Sequence, residues 1–153
     1  FHPKKDGVAL TDLNIYNIHL AAGLLGLPDK VKYYANMQKG MDTSGILHLS
    51  YPDKQVTLIG SKDSYVTPRS FIEGEKGSIY FDGSTGTLDN FTVEMRGQKP
   101  KRYNFNKYPH RMASEFTAFA EMIDQHDVRR ADEAFVNTLE TMKILTAAKN
   151  SVE

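Results

Sequence analysis

Asp12, Tyr16 and His19 follow one another at intervals of four and three in the stretch Leu10-Thr11-Asp12-Leu13-Asn14-Ile15-Tyr16-Asn17-Ile18-His19-Leu20. At about 100° per residue, a helix gathers these three and Gly23 into one narrow sector. A phenol flanked by a carboxylate and an imidazole can pass a proton to or from a bound hydroxyl or carbonyl. Phenols release a proton more readily beside a cation and less readily beside a carboxylate, so the set lacks its positive member. A plainer reading stands beside this one: Asp12 as a helix cap, Tyr16 as an interfacial aromatic and His19 as a core histidine with its hydrogen bonds met.

The rest of that helix is apolar, through Leu13, Ile15, Ile18, Leu20, Ala21, Ala22, Leu24 and Leu25. A helix buried around most of its girth must direct its polar stripe somewhere specific, because each unpaired buried polar group costs about 1–3 kcal/mol. A wet cleft meets that need. Thr11 or Asp12 is the expected N-cap, Leu13, Leu20 and Leu24 lie along one side, and Gly26 and Pro28 are the stop.

Downstream, alternation predicts strands. Val31, Tyr33, Ala35 and Met37 alternate with polar residues, and Leu47, Leu49 and Tyr51 precede a turn at Pro52-Asp53 that leads to Val56–Ile59. Further strands are expected at Tyr65–Ile72, Ser78–Phe81, Phe91–Met95 and Arg102–Phe105, each bounded by glycine, asparagine or proline. Two helices close the chain, with apolar stripes at Met112, Phe116, Phe119 and Ile123, then at Phe135, Leu139, Met142 and Leu145. The expected fold class is α+β: an open, mostly antiparallel sheet of about six strands with helices packed on one face. Tyr34, His48, Thr57, Ile59 and Tyr80 fall on the other face, too apolar for plain solvent, which leaves it available for oligomerisation or for a covering loop.

Composition narrows the function classes. The 153 residues suit a single domain, 1–153, and 19 basic against 19 acidic residues leave no electrostatic footprint for nucleic acid or an anionic membrane. Cysteine is absent, which excludes disulfides, thiolate metal sites and cysteine catalysis together. No apolar run approaches the roughly 20 residues of a membrane helix. His2, His19, His48, His110 and His126 show no ligand spacing, so no metal is expected, and His110-Arg111 reads as a helix entry. The opening Phe1-His2-Pro3-Lys4-Lys5-Asp6 is neither a signal peptide nor an initiator-methionine start. The expectation is a cytoplasmic protein met as a fragment or processed product.

Gly7-Val8-Ala9-Leu10-Thr11-Asp12-Leu13-Asn14-Ile15-Tyr16, followed by Leu24-Leu25-Gly26-Leu27-Pro28, resembles the start of a C-terminal domain in the glucose-fructose oxidoreductase / inositol dehydrogenase / rhizopine catabolism family. Phe71-Ile72-Glu73-Gly74-Glu75-Lys76-Gly77-Ser78-Ile79 is similar to a hairpin of that family, and Met112–Phe119 to its Glu-x-x-x-Phe helix. The resemblance implies an NAD(P)-dependent oxidoreductase of two domains. Its own N-terminal Rossmann domain, missing here, would hold NAD or NADP, and this chain would supply the wall for a sugar, polyol or cyclic diol and a homo-oligomer interface on the sheet face. Asp12 matches the family's aspartate, Tyr16 the Tyr/His that exchanges the proton, and His19 a substrate-side position. Tyrosine at that place is similar to the dihydrodiol dehydrogenase and glucose-fructose oxidoreductase branches.

Asn14 and Val8 replace glycines of the pattern, and Asn14 would set a side chain close to where the nicotinamide runs. No glycine-rich strand-to-helix loop occurs, so this fragment is expected to bind no dinucleotide and to be inactive alone. Gly74-Glu75-Lys76-Gly77 reads as a hairpin turn and not a phosphate or RNA-binding loop, and Lys99 of Gln98-Lys99-Pro100 as a solvated turn lysine. The alternative function is a non-catalytic homologue that serves oligomerisation or ligand sensing.

Overall fold

The computed structural model describes residues 8–152, which form two compact units. The first runs to residue 65 and resumes at 132, and the second spans residues 66–131. The Gly7 and His2 readings lie outside the described residues.

In the first unit, α1 (Ala9–Asp12) and α2 (Asn14–Leu25) precede β1 (Lys30–Gln38), β2 (Met41–Ser50) and β3 (Gln55–Ser61). The strands form one antiparallel sheet in the order β1-β2-β3. Lys39 and Gly40 join β1 to β2 with φ of 51° and 79°, the left-handed pair that a two-residue hairpin turn needs. Alternation sends Tyr33, Leu47 and Leu49 to the inner face, where Ile18, Ala21 and Ala22 of α2 meet them. The far half of α4 (Val128–Asn150) adds Ile144, Leu145 and Ala148. Each large side chain so buried contributes about 1.5–3 kcal/mol.

The opposite face carries Tyr34, Ile46 and Ile59 in direct register, with His48 and Thr57 beside them, as alternation predicts. Tyr34, Ile46 and Ile59 are exposed. Tyr80 belongs to the other sheet.

The second unit holds β4 (Arg69–Gly74), β5 (Gly77–Asp82), β6 (Phe91–Met95) and β7 (Lys101–Tyr103), antiparallel in that order, then α3 (Arg111–Asp124). The protein is thus α+β with open antiparallel sheets, and the strand run is divided into sheets of three and four. The predicted strand at Tyr65 begins only at Arg69, because Pro68 has no N–H to offer a ladder. Phe105, expected in the last strand, instead packs its ring against Phe91 and Tyr103 at 5.9 and 6.0 Å. Gly74 pairs with Gly77 across a two-residue hairpin, and Lys99 is an exposed residue between β6 and β7. His110 caps α3, its Nδ1 accepting the Met112 N–H at 3.2 Å.

The helix stripes differ from expectation. In α4 the buried line is Thr141, Ile144, Leu145 and Ala148, while Phe135, Leu139 and Met142 are exposed. The two lines lie on different sides of one helix, and only the first meets the sheet. Phe116, Phe119 and Ile123 of α3 are exposed as well.

Candidate active site

α1 and α2 are separated by Leu13, which keeps a right-handed helical conformation with φ −105° and ψ −50°. The helix therefore starts earlier than predicted. Thr11 and Asp12 lie inside α1, and its N-cap is Val8, with no side-chain cap bond. The buried side of α2 is Asn14, Ile18, Ala21 and Ala22, while Leu13 and Leu24 are exposed. Asp12, Tyr16, His19 and Gly23 share the exposed side with them, and Tyr16 is 48% exposed. The carboxylate and the phenol thus sit one turn apart on a solvent-facing surface, backed by a packed sheet.

Two buried attachments hold that surface. The Asp42 carboxylate of β2 accepts from the Leu10 N–H and from the Tyr33 hydroxyl, both at 2.7 Å and both through Oδ2. Removal from water, then the Asp42 hydrogen bond and charge, push the Tyr33 phenol far above its ordinary value. The second attachment is Asn14, fully buried, whose Nδ2 donates to Leu58 O at 3.4 Å and whose Oδ1 accepts from Asn17 at 2.7 Å. Asn14 thus points into the sheet and not toward solvent. Gly60 makes room for it, since a Cβ there would lie 3.3 Å from the Asn14 side chain.

His19 is engaged elsewhere. Thr141 Oγ1 donates to Asn137 O at 2.8 Å, which leaves that oxygen to accept from His19 Nδ1 at 3.3 Å. Asn137 Nδ2 donates to His19 Nε2 at 3.2 Å. Both ring nitrogens face α4, so the structure joins His19 to that helix.

Sequence reasoning missed one partner of the stripe. Lys62, just beyond β3, donates its ammonium to Asp12 Oδ2. It sets a positive charge against the carboxylate of the stripe. No local signal could have found it, because 50 residues separate the pair.

Every ladder between the named strands of both sheets is antiparallel, and Gly40 and the Gly74–Gly77 pair turn one strand into the next. No helix among the described residues is long and apolar enough to cross a membrane.

No protein-family model matches the chain. It is 27% identical over 154 residues, 99% of its length, to scyllo-inositol 2-dehydrogenase (NADP(+)) IolU of Bacillus subtilis strain 168, covering 46% of that protein. Over 127 residues, 82% of the chain, it is 28% identical to the oxidoreductase YgjR of Escherichia coli K12, covering 38% of it. KijD10, a 3-ketoreductase from Actinomadura kijaniata in complex with NADP, shares the fold with a TM-score of 0.73 at 15% identity, over 97% of this chain and 49% of that one. Aldose-aldose oxidoreductase from Caulobacter crescentus does so with a TM-score of 0.69 at 17% identity, over 94% of this chain and 46% of that one. The chain spans less than half the length of the curated relatives it matches. Its homologues are thus an inositol dehydrogenase and an oxidoreductase, and the solved oxidoreductases that share its fold are matched by it over about half their length.

Proposed function

We propose that the chain, 1–153, is the C-terminal catalytic and substrate-binding domain of an NAD(P)-dependent oxidoreductase that acts on a sugar, polyol or cyclic diol. One observation carries the reading: Asp12 and Tyr16 stand one turn apart on the exposed side of a helix whose other side is packed, in a homologue of an inositol dehydrogenase. Tyr16 is the group that takes a proton from the substrate hydroxyl, or returns one to the carbonyl, as the carbon changes oxidation state. Asp12 orients the substrate or the phenol. His19 stands three residues along the same side, and its bonds to α4 suit it to shape that wall more than to donate to substrate. The tyrosine places the protein nearest a dihydrodiol dehydrogenase-like branch.

The dinucleotide, carried by a separate N-terminal Rossmann domain, supplies or accepts the hydride. Without that domain the fragment is inactive. The exposed Tyr34, Ile46 and Ile59 surface suits association with another copy of the protein.

The test uses the full-length protein with NAD+ or NADP+ and a panel of inositols, aldoses and cyclic diols. Tyr16→Phe should lower kcat by about 10²- to 10⁴-fold, the usual worth of a positioned acid/base. A variant as active as wild type would remove Tyr16 from the chemistry and leave the non-catalytic reading, oligomerisation or ligand sensing.

A further inference from the structure

We propose that Lys62 is a positioning residue of this site, its ammonium holding the Asp12 carboxylate in one orientation beside Tyr16; the proposal rests on the functional reading above. The Lys62 ammonium reaches Asp12 Oδ2 across 50 residues of sequence. Burial of the two partners is unequal. The Lys62 side chain is 13% exposed and that of Asp12 is 58% exposed. Most surface ion pairs join two mobile side chains and contribute little to stability. Here the cation is the fixed member and the carboxylate comes to it.

What fixes Lys62 is the polar seam between β2 and β3. Its own N–H donates to Thr43 O at 2.8 Å. Ser61, the residue before it, pairs with Ser44 at the end of the ladder. Asp63, the residue after it, accepts from the hydroxyls of Thr43, Ser61 and Ser44, which hold its carboxyl below the usual carboxylate range. Lysine and both its sequence neighbours are thus tied to neighbouring strands. An exposed aspartate samples several rotamers, and a charge-assisted bond to an immobile donor selects among them. With Oδ2 so engaged, Asp12 Oδ1 takes no hydrogen bond from the described residues and is open to a substrate hydroxyl.

Lys62 acts through Asp12 and not on the Tyr16 phenol.

A double-mutant cycle in the full-length protein tests the proposal. The probes are NADP+ and the inositol, aldose or cyclic diol of the panel above that gives the largest rate. Lys62→Met should lower kcat by about 10- to 100-fold, as expected for a misplaced catalytic group. KM for NADP+ should stay unchanged, and the melting temperature should move by no more than about 4 °C, as expected for a pair whose carboxylate side is open to water and whose lysine stem methionine replaces. Lys62→Arg, which keeps the charge, should recover most of the loss. Combining Lys62→Met with Asp12→Asn should cost no more than Asp12→Asn alone, because both act through one carboxylate. Wild-type kcat in Lys62→Met, with Tyr16→Phe and Asp12→Asn both impaired, would overturn the Lys62 role and leave the site intact. Losses that multiply in the double variant would overturn it too. If Tyr16→Phe stays active, or no compound of the panel reacts, the functional reading itself fails and Lys62 falls with it.

Discussion

Tyr33→Phe removes a single oxygen from the buried attachment beneath the site, and the structure sets both the size and the pH dependence of its effect. Tyr33 is 1% exposed, and its hydroxyl donates to a buried carboxylate at 2.7 Å. Hydrogen bonds to charged groups contribute about 1.5–3 kcal/mol. Asp42 Oδ2 keeps the Leu10 N–H after the change, so it is not orphaned and the lower part of that range applies. The expected loss is about 1.5–2 kcal/mol near neutral pH, or about 3–8 °C in melting temperature for a chain of this size. Because the folded state holds the phenol far above its ordinary value, the contribution is complete below about pH 10, where the unfolded phenol titrates. Above that pH the unfolded chain loses a proton that the folded chain keeps. Wild-type stability then falls relative to the variant by about 1.4 kcal/mol per pH unit. Urea unfolding of both proteins from about pH 8 to about pH 11 measures the gap, and the other tyrosines cancel because both proteins carry them. A gap that stays constant across that range, or none at any pH, would refute the assignment of the Tyr33 proton.

Two further outcomes follow from the same packing. Gly45→Ala would place a Cβ under 3.0 Å from the Tyr33 Oη, Cζ and Cε2 atoms. That ring is held by its bond to Asp42, so the change should cost about 1–3 kcal/mol in urea unfolding. Asn14→Gly brings back the glycine of the family pattern and still destabilises, by about 2 kcal/mol, because it removes the bond to Leu58 O and leaves a void against Gly60. Thermal melts of the two variants check both.

The parts legible in the sequence were those fixed by neighbours along the chain. Strict alternation located Phe91–Met95 to the residue, and the glycine pair at Gly74 and Gly77 marked its hairpin because such turns are set locally. The spacing of Asp12 and Tyr16 sufficed to put them on one side of a helix. Inner and outer sides of that helix were not legible, since leucines occur all around it and only packing decides which of them meet the sheet. Leu13 and Leu24 look outward for that reason, while a polar residue, Asn14, is buried where two strand carbonyls accept from it and from Asn17. Partners far apart in sequence were equally hidden. Lys62 with Asp12, Tyr33 with Asp42 and His19 with Thr141 each depend on register or on helix docking that no local window contains.

Ser151 and Val152 return to the sheet. Val152 makes a parallel bridge to Tyr33, and Ser151 Oγ accepts the Tyr33 N–H at 3.0 Å, along the outer border of β1. A bare border strand offers unpaired amides to any passing strand, so Ser151 and Val152 shield this one from chain-to-chain stacking. Ser151→Ala would take away the acceptor of the Tyr33 N–H, and so bare the border on the same strand whose tyrosine anchors Asp42 beneath Leu10.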